Sequence, residues 1–232
     1  MSASDGPACG GKPGVFITGT DTSVGKTFVG MALARRALAN GHRVFAFKPI
    51  ETGCTTREGE LVGEDQEALA LSAGNWQSGP LRGVYRFRLP AAPSVAAAVV
   101  DQVIDYAPIE RACREGARDA SYVIVEGAGG WRVPITEESD MATLAGRIGL
   151  PILIVARASL GTLNHTLLTV EAVARDGLPL AAIVLSKRPE DPVELTLSNV
   201  EQLQRRISAP VILLAEDDRV LDALILSVNR PS

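Results

Sequence analysis

Six short apolar runs constrain this chain more than any other feature: residues 15–18, 44–47, 122–125, 152–155, 182–185 and 211–214. They are rich in Val, Ile, Leu and Phe, and none alternates with polar residues. A strand with one wet face alternates; a strand buried on both faces does not, and parallel sheets bury both. Segments with helical spacing separate many of the runs. Met31, Ala34 and Leu38 share one helix face, and Asn40-Gly41 supplies a stop. Leu163, Leu167, Val170 and Ala174 repeat the pattern, with Gly177 closing it. This alternation predicts a doubly wound, mostly parallel α/β sheet flanked by helices. Residues 74–108 fit the pattern least; an extra strand over 84–87 and a short Ala/Val helix over 94–103 are expected there.

The chain's 232 residues suit one domain with a full core. No internal repeat or linker divides it. Residues 1–14 are polar with Gly and Pro and lack a signal-like apolar stretch; they read as a disordered tail, leaving 15–232 as the single domain. Net charge is −4 and no long basic cluster appears, which argues against a nucleic-acid partner. The longest apolar runs, such as 152–156, are too short to span a bilayer, so no membrane role and a cytoplasmic location are expected. Cys9, Cys54 and Cys113 are widely spaced without a CxxC pair and are expected as free thiols. Two histidines, His42 and His165, and no cysteine cluster argue against zinc chemistry.

Ligands of open α/β sheets sit beyond the carboxyl ends of the strands. Gly19, Lys48, Glu126, Arg157 and Ser186 follow the first five runs, so polar groups and glycine converge on one edge. After the first run comes Gly19-Thr20-Asp21-Thr22-Ser23-Val24-Gly25-Lys26-Thr27, then an apolar-periodic helix. Glycines let such a loop curl its N–H groups toward phosphate oxygens, and the helix N-terminus adds partial positive charge. Lys26 then reaches the outer phosphates, and the Thr27 hydroxyl is placed for Mg²⁺. Five residues separate the glycines, one more than the commonest spacing.

Lys48 leaves the second run just before Pro49, which cannot extend a ladder. Alone it reads as a solvated strand-end lysine; beside a phosphate loop it reads as a cation that stabilises transferring phosphate. Glu126 closes the third run, where a carboxylate can hold Mg²⁺ directly or through water, and the small residues Gly127, Ala128 and Gly129 let a substrate approach the backbone. Asp65 stands where a helix is expected to start, and composition alone makes it a simple N-terminal acid. Residues 158–166 open a helix whose backbone N–H groups suit a carboxylate. Asn164 and His165 there serve as caps or ligands, with a packed or capping role preferred for His165.

Together four strings resemble dethiobiotin synthetase: Gly-Thr-Asp-Thr-Ser-Val-Gly-Lys-Thr (19–27), Lys-Pro-Ile-Glu-Thr-Gly (48–53), Val-Glu-Gly-Ala-Gly-Gly-Trp (125–131) and Leu-Gly-Thr-Leu-Asn-His-Thr (160–166). Their order and spacing match from about residue 15 to 185. The resemblance implies a P-loop NTPase-like homodimer of biotin synthesis. It would close the ureido ring of 7,8-diaminononanoate with CO₂ and ATP, through a carbamate and a carbamic-phosphoric anhydride. It implies catalytic roles for Lys26 and Lys48, and Mg²⁺ held by Thr27, Asp65 and Glu126. The implied nucleotide site comprises Ser23, Val24, Gly25, Lys26, Thr27, Phe28, Asp65, Glu126, Gly127, Ala128, Gly129, Ser186 and Lys187. The implied substrate site comprises Thr52, Gly129, Leu160, Gly161, Thr162, Leu163 and Asn164, with the backbone of 161–164, from the neighbouring subunit, holding the substrate carboxylate. Two departures bear on base recognition: Ser186 stands where the family often has Asn, and Ala-Glu-Asp-Asp-Arg (215–219) does not follow the usual base-contacting segment.

A partition-type ATPase switch is the main alternative, but such proteins carry an extra lysine early in the loop, and residues 20–24 contain none. A cobyrinate amidating enzyme would need a glutaminase domain for which the chain has no room. No G-x-G-x-x-G follows the first run, which argues against a dinucleotide oxidoreductase.

Overall fold

The computed structural model describes residues 6–228. Six parallel strands form the central sheet: β1 (Gly14–Gly19), β2 (Val44–Phe47), β7 (Tyr122–Gly130), β8 (Ile152–Arg157), β9 (Leu180–Ser186) and β10 (Val211–Leu214), in the order β10-β9-β8-β1-β7-β2. Each contains one of the six apolar runs. Alternate side chains feed two separate cores. Val15 and Ile17 of β1, Tyr122 and Ile124 of β7, and Leu153 and Val155 of β8 enter one. Phe16, Val123, Val125, Ile152 and Ile154 enter the other. Both faces are therefore apolar, which is why the runs do not alternate.

On the first face lie α1 (Lys26–Ala39), α2 (Glu64–Ser72) and α8 (Asp222–Val228); on the other lie α4 (Tyr106–Asp119), α5 (Met141–Ile148), α6 (Thr162–Arg175) and α7 (Val193–Gln204). Asp105 caps α4 through the Ala107 N–H, and Asp140 forms a reciprocal capping box with Thr143 on α5. The inner face of α1 is the expected one only in part: Ala34 lies in the core and Met31 packs against it, but Leu38 does not. Val29, Leu33, Ala34 and Ala37 are buried, whereas Leu38 is 36% exposed. The buried face is filled largely by Ala, with Leu33 as its large apolar side chain, and Leu38 falls at its margin. On α6, Thr162, Thr166, Thr169 and Val173 are buried; Leu163, Leu167 and Val170 pack beside them and Ala174 is exposed.

Three further strands escaped the sequence pattern. β3 (Ile50–Thr52) pairs in parallel with β6 (Tyr85–Phe87), and β4 (Thr55–Arg57) forms a hairpin with β5 (Glu60–Val62) over Glu58 and Gly59, both at positive φ. The strand expected near 84–87 thus exists, but in a two-stranded satellite outside the main sheet. The helix expected over 94–103 ends early: α3 spans Pro93–Ala98.

Two expectations about the N-terminus are corrected. Residues 7–13 are not a free tail: the Ala8 and Cys9 amides donate to the Arg147 and Ile148 carbonyls at the end of α5, and Ala8 and Cys9 are buried. Cys9 and Cys113 form a disulfide, so among the three cysteines the free-thiol expectation holds for buried Cys54. Residues 1–5 of the expected tail lie outside the described residues.

Packing of α4 on β2, the strand that Lys48 leaves, depends on Gly116. A Cβ there would fall 2.3 Å from the ring of Phe45, itself fully buried. Gly116→Val is expected to destabilise the protein by about 1–3 kcal/mol through overpacking, although it removes a helical glycine. Thermal or denaturant unfolding checks this.

Candidate active site

Four strand ends and one satellite helix build the cleft. β1 ends at Gly19, and the loop that follows enters α1 through Gly25, whose φ of 102° only glycine adopts without strain. A Cβ on Gly25 would also lie 2.8 Å from the Ser186 hydroxyl oxygen. No side chain caps α1, so the helix presents its positive end to the loop. Lys26 folds back over the loop and donates to the Asp21 carbonyl at 3.2 Å.

The charged centre lies one strand away. The Lys48 ammonium, from the end of β2, donates to Glu126 Oε1 at 2.9 Å and to Asp65 Oδ2. The Thr27 hydroxyl donates to the same Glu126 oxygen at 2.9 Å. Lys48 is 6% exposed and Glu126 fully buried, while Asp65 opens toward solvent. Burial works to lower the Lys48 pKa, but the Glu126 and Asp65 carboxylates outweigh it and hold the ammonium protonated well above the ordinary lysine range. Lys26 goes the other way: burial lowers its pKa and the Lys48 charge adds to this, against the pull of Glu126.

These groups line a cleft of about 320 Å³ that gathers Ser23, Gly25, Lys26, Thr27, Phe28, Lys48, Thr52, Asp65, Glu126, Ala128 and Gly129. A second cleft of about 260 Å³ lies across the loop and takes in Val24, Leu160 and Thr162. The other expected residues line neither. Gly127 packs under the cleft floor against Met141, and Leu163 packs on the core. Gly161 and Asn164 are exposed at the start of α6. Ser186 sits against the back of the phosphate loop, and the Lys187 amide is bonded to the Leu214 carbonyl. His165 is neither packed nor capping: it is exposed and lines the second cleft, and α6 has no side-chain cap. Asp65 is the second residue of α2, so it is a helix N-terminal acid and a cleft residue at once.

The sequence reading gave no site role to Arg157 or Arg188. Each donates to the Ser23 carbonyl at 3.2 Å. For Arg157 the signal was present, since it closes a strand at the ligand edge; Arg188, two residues past β9, gave none.

The donor set suits a hard divalent cation. Glu126 Oε2 is buried without a hydrogen bond, and the Thr27 hydroxyl and Asp65 carboxylate add hard oxygens. Among the described residues no group of three or more His, Cys, Asp or Glu gathers to hold a metal unaided. Mg²⁺ uses one or two carboxylates with substrate phosphates and water.

Comparison with known proteins agrees with this geometry. A family model described as an AAA domain matches residues 13–222. The chain is 42% identical over 204 residues to the ATP-dependent dethiobiotin synthetase BioD of Anaeromyxobacter dehalogenans (strain 2CP-C), covering 87% of this chain and 89% of that protein. It is 41% identical over 199 residues to the BioD of Aromatoleum aromaticum, covering 85% and 87% of the two chains. The chain belongs to the dethiobiotin synthetase family. Among solved structures, the signal recognition particle receptor FtsY from Elizabethkingia anophelis superposes with a TM-score of 0.51 at 16% identity, covering 97% of this chain and 68% of that one. At that identity the likeness speaks for the fold alone.

Gly25→Ala is expected to weaken ATP binding at least about tenfold, because a left-handed alanine costs roughly 1–2 kcal/mol before the clash with Ser186 is counted. Titration calorimetry measures it, and Gly25→Ala combined with Ser186→Gly separates strain from clash.

Proposed function

We propose that this chain is an ATP-dependent dethiobiotin synthetase, a cyclo-ligase that makes the ureido ring from 7,8-diaminononanoate, CO₂ and ATP. The observation that carries the reading is the Lys48 ammonium, held protonated between Glu126 and Asp65 in the cleft that the phosphate loop shares. The chemistry needs a fixed cation where a carbamate meets a γ-phosphate. One substrate amine adds to CO₂ and loses a proton to give the carbamate. A carbamate oxygen attacks the γ-phosphorus, and the bond to ADP breaks. The second amine then attacks the carbamoyl carbon, and inorganic phosphate leaves with the bonding pair as the ring closes.

The chain mainly positions and neutralises. Lys26 holds the outer phosphates, and backbone N–H groups from Ser23 to Phe28 surround the rest. Lys48 stabilises the carbamate and the transferring phosphoryl group. Thr52 and Gly129 sit beside the diamine. Thr27, Asp65 and Glu126 would hold Mg²⁺, which when bound supplies charge neutralisation between the phosphates. Ser186 and Lys187, behind the loop, are the candidates for contact with the base. We further infer a homodimer in which Gly161, Thr162, Leu163 and Asn164 of the second subunit receive the substrate carboxylate, with Leu160 beside them, because the N-cap of α6 is Gly161 and no side chain caps the helix. The reading places the enzyme in the cytoplasm; no helix among the described residues is long and apolar enough to cross a membrane.

ADP release with and without 7,8-diaminononanoate and bicarbonate tests the reading; turnover independent of both would overturn it. Lys48→Ala is expected to lower ring closure by about 10²–10³-fold while ATP still binds, whereas Lys26→Ala loses nucleotide turnover with the fold intact. The shared site has its own check. Mixing Lys48→Ala with Gly161→Val protein should restore about a quarter of wild-type activity, since random exchange makes about half the dimers mixed, each with one whole site. No recovery after proven exchange would make the site a single chain's.

A further inference from the structure

Beneath the cleft, two buried side chains join the segment that carries Lys48 to the helix that carries Asp65. Glu51 is 6% exposed, and its two carboxylate oxygens each accept an amide of the first turn of α2: Asp65 N–H at 3.0 Å and Gln66 N–H at 2.9 Å. The helix's own N-cap, Gly63, has no side chain to do this. Gln66 reciprocates. Fully buried, it donates from Nε2 to the Lys48 carbonyl at 3.0 Å and to the Tyr85 carbonyl at 3.2 Å. Two glycines leave the room: a Cβ on Gly63 would lie 2.5 Å from Glu51 Oε2, and one on Gly83 would lie 2.0 Å from Gln66 Nε2. The bonds form a closed circuit: from the Lys48 backbone to Gln66, through the first turn of α2 to the Glu51 carboxylate, and back along the chain to Lys48.

We propose that Glu51 and Gln66 are positioning residues that fix Asp65 relative to Lys48 and so set the metal side of the cleft before any ligand arrives. Neither lines the cleft, so neither touches the reacting atoms. The proposal rests on the reading above, in which Asp65 helps hold Mg²⁺ for ATP. Chemistry explains why an acid stands at 51. Both oxygens accept N–H groups, whereas an amide offers one acceptor and turns N–H donors toward a second N–H. Charged acceptors at a helix N-terminus also make the stronger bonds.

The test uses Glu51→Gln, with Gln66→Met as a second variant that keeps the volume but removes both Nε2 bonds. In the ligand-free protein, hydrogen exchange of the Asp65 and Gln66 amides should quicken about tenfold or more in Glu51→Gln, with the amides of β8 unchanged. Titration calorimetry then measures ATP affinity with and without Mg²⁺. The enhancement by Mg²⁺ should shrink about tenfold in either variant, in the range of lost supporting bonds at metal sites, while metal-free affinity stays within about twofold. Against an Asp65→Asn background the same substitutions should add less than about twofold, because they act through Asp65. An intact Mg²⁺ enhancement in folded Glu51→Gln and Gln66→Met, or a full additional loss in the Asp65→Asn background, overturns the proposal. If Asp65→Asn itself leaves the enhancement unchanged, the metal assignment falls and the positioning role falls with it. If wild type binds ATP with Mg²⁺ coupling yet forms no ring, only the enzymatic reading falls.

Discussion

A buried ammonium must be paired, and the site is organised around that requirement. Lys48 and Glu126 are both almost free of solvent. Either one alone at that depth would cost several kcal/mol. Their meeting is a property of the strand order. With β7 placed between β1 and β2, Glu126, in the middle of β7 and level with Ile17 of β1, lies between the lysine that leaves β2 and the helix entered from β1. Glu126 Oε1 therefore collects both the Lys48 ammonium and the Thr27 hydroxyl. Swapping two strands in the sheet would leave the same side chains buried and unmatched. Fold and site are thus one constraint seen at two scales.

The ion pair also explains the opposite shifts of the two lysines. Lys48 has two carboxylates in contact, and its proton is held firmly. Lys26 has a backbone carbonyl as its hydrogen-bonding partner and a like charge nearby, so burial dominates. A polyanion brought to Lys26 would add a counter-charge in direct contact, where Glu126, Asp65 and Asp21 act from a distance. The cleft thus holds one lysine in contact with two carboxylates and one whose ammonium contacts a neutral carbonyl, and the function proposed above assigns the outer phosphates to the second.

The parts of this architecture that were legible in the sequence are those where local pattern and global fold demand the same residues. A strand buried on both faces must be apolar throughout, so all six sheet strands were visible. The turn into α1 must contain glycine at Gly25, and Gly-Lys-Thr announces it. What escaped is what depends on contacts distant in sequence. β3 and β5 are three-residue strands whose partners no periodicity announces. The docking of residues 7–13 depends on carbonyls at the end of α5 and a cysteine on α4, far along the chain. The face of α1 was read only in part: Met31 and Ala34 do face the core, but Leu38 falls at its margin and Leu33 takes the inward place. Glu51 lay inside a string already noticed, yet its role is unreadable without knowing that the first turn of α2 faces it.

The phosphate loop itself is a partition as well as a cradle. The 320 Å³ cleft with the charged centre and the 260 Å³ cleft beside α6 share Thr22, which lies in the loop between them. Such a wall must be stiff, and it is stiffened against its own preference. Ser23 adopts φ of 56°, a left-handed conformation that a serine enters at a cost of about 1–2 kcal/mol. Its carbonyl is received by Arg157 from β8 and Arg188 from beyond β9, each at 3.2 Å. The two guanidinium groups fill both lone pairs of one carbonyl oxygen, and each comes from beside a different strand end. The strained residue is thereby tied to the sheet edge from two directions. The curve of the loop, and with it the wall between the two clefts, is thus held by contacts of the chain itself.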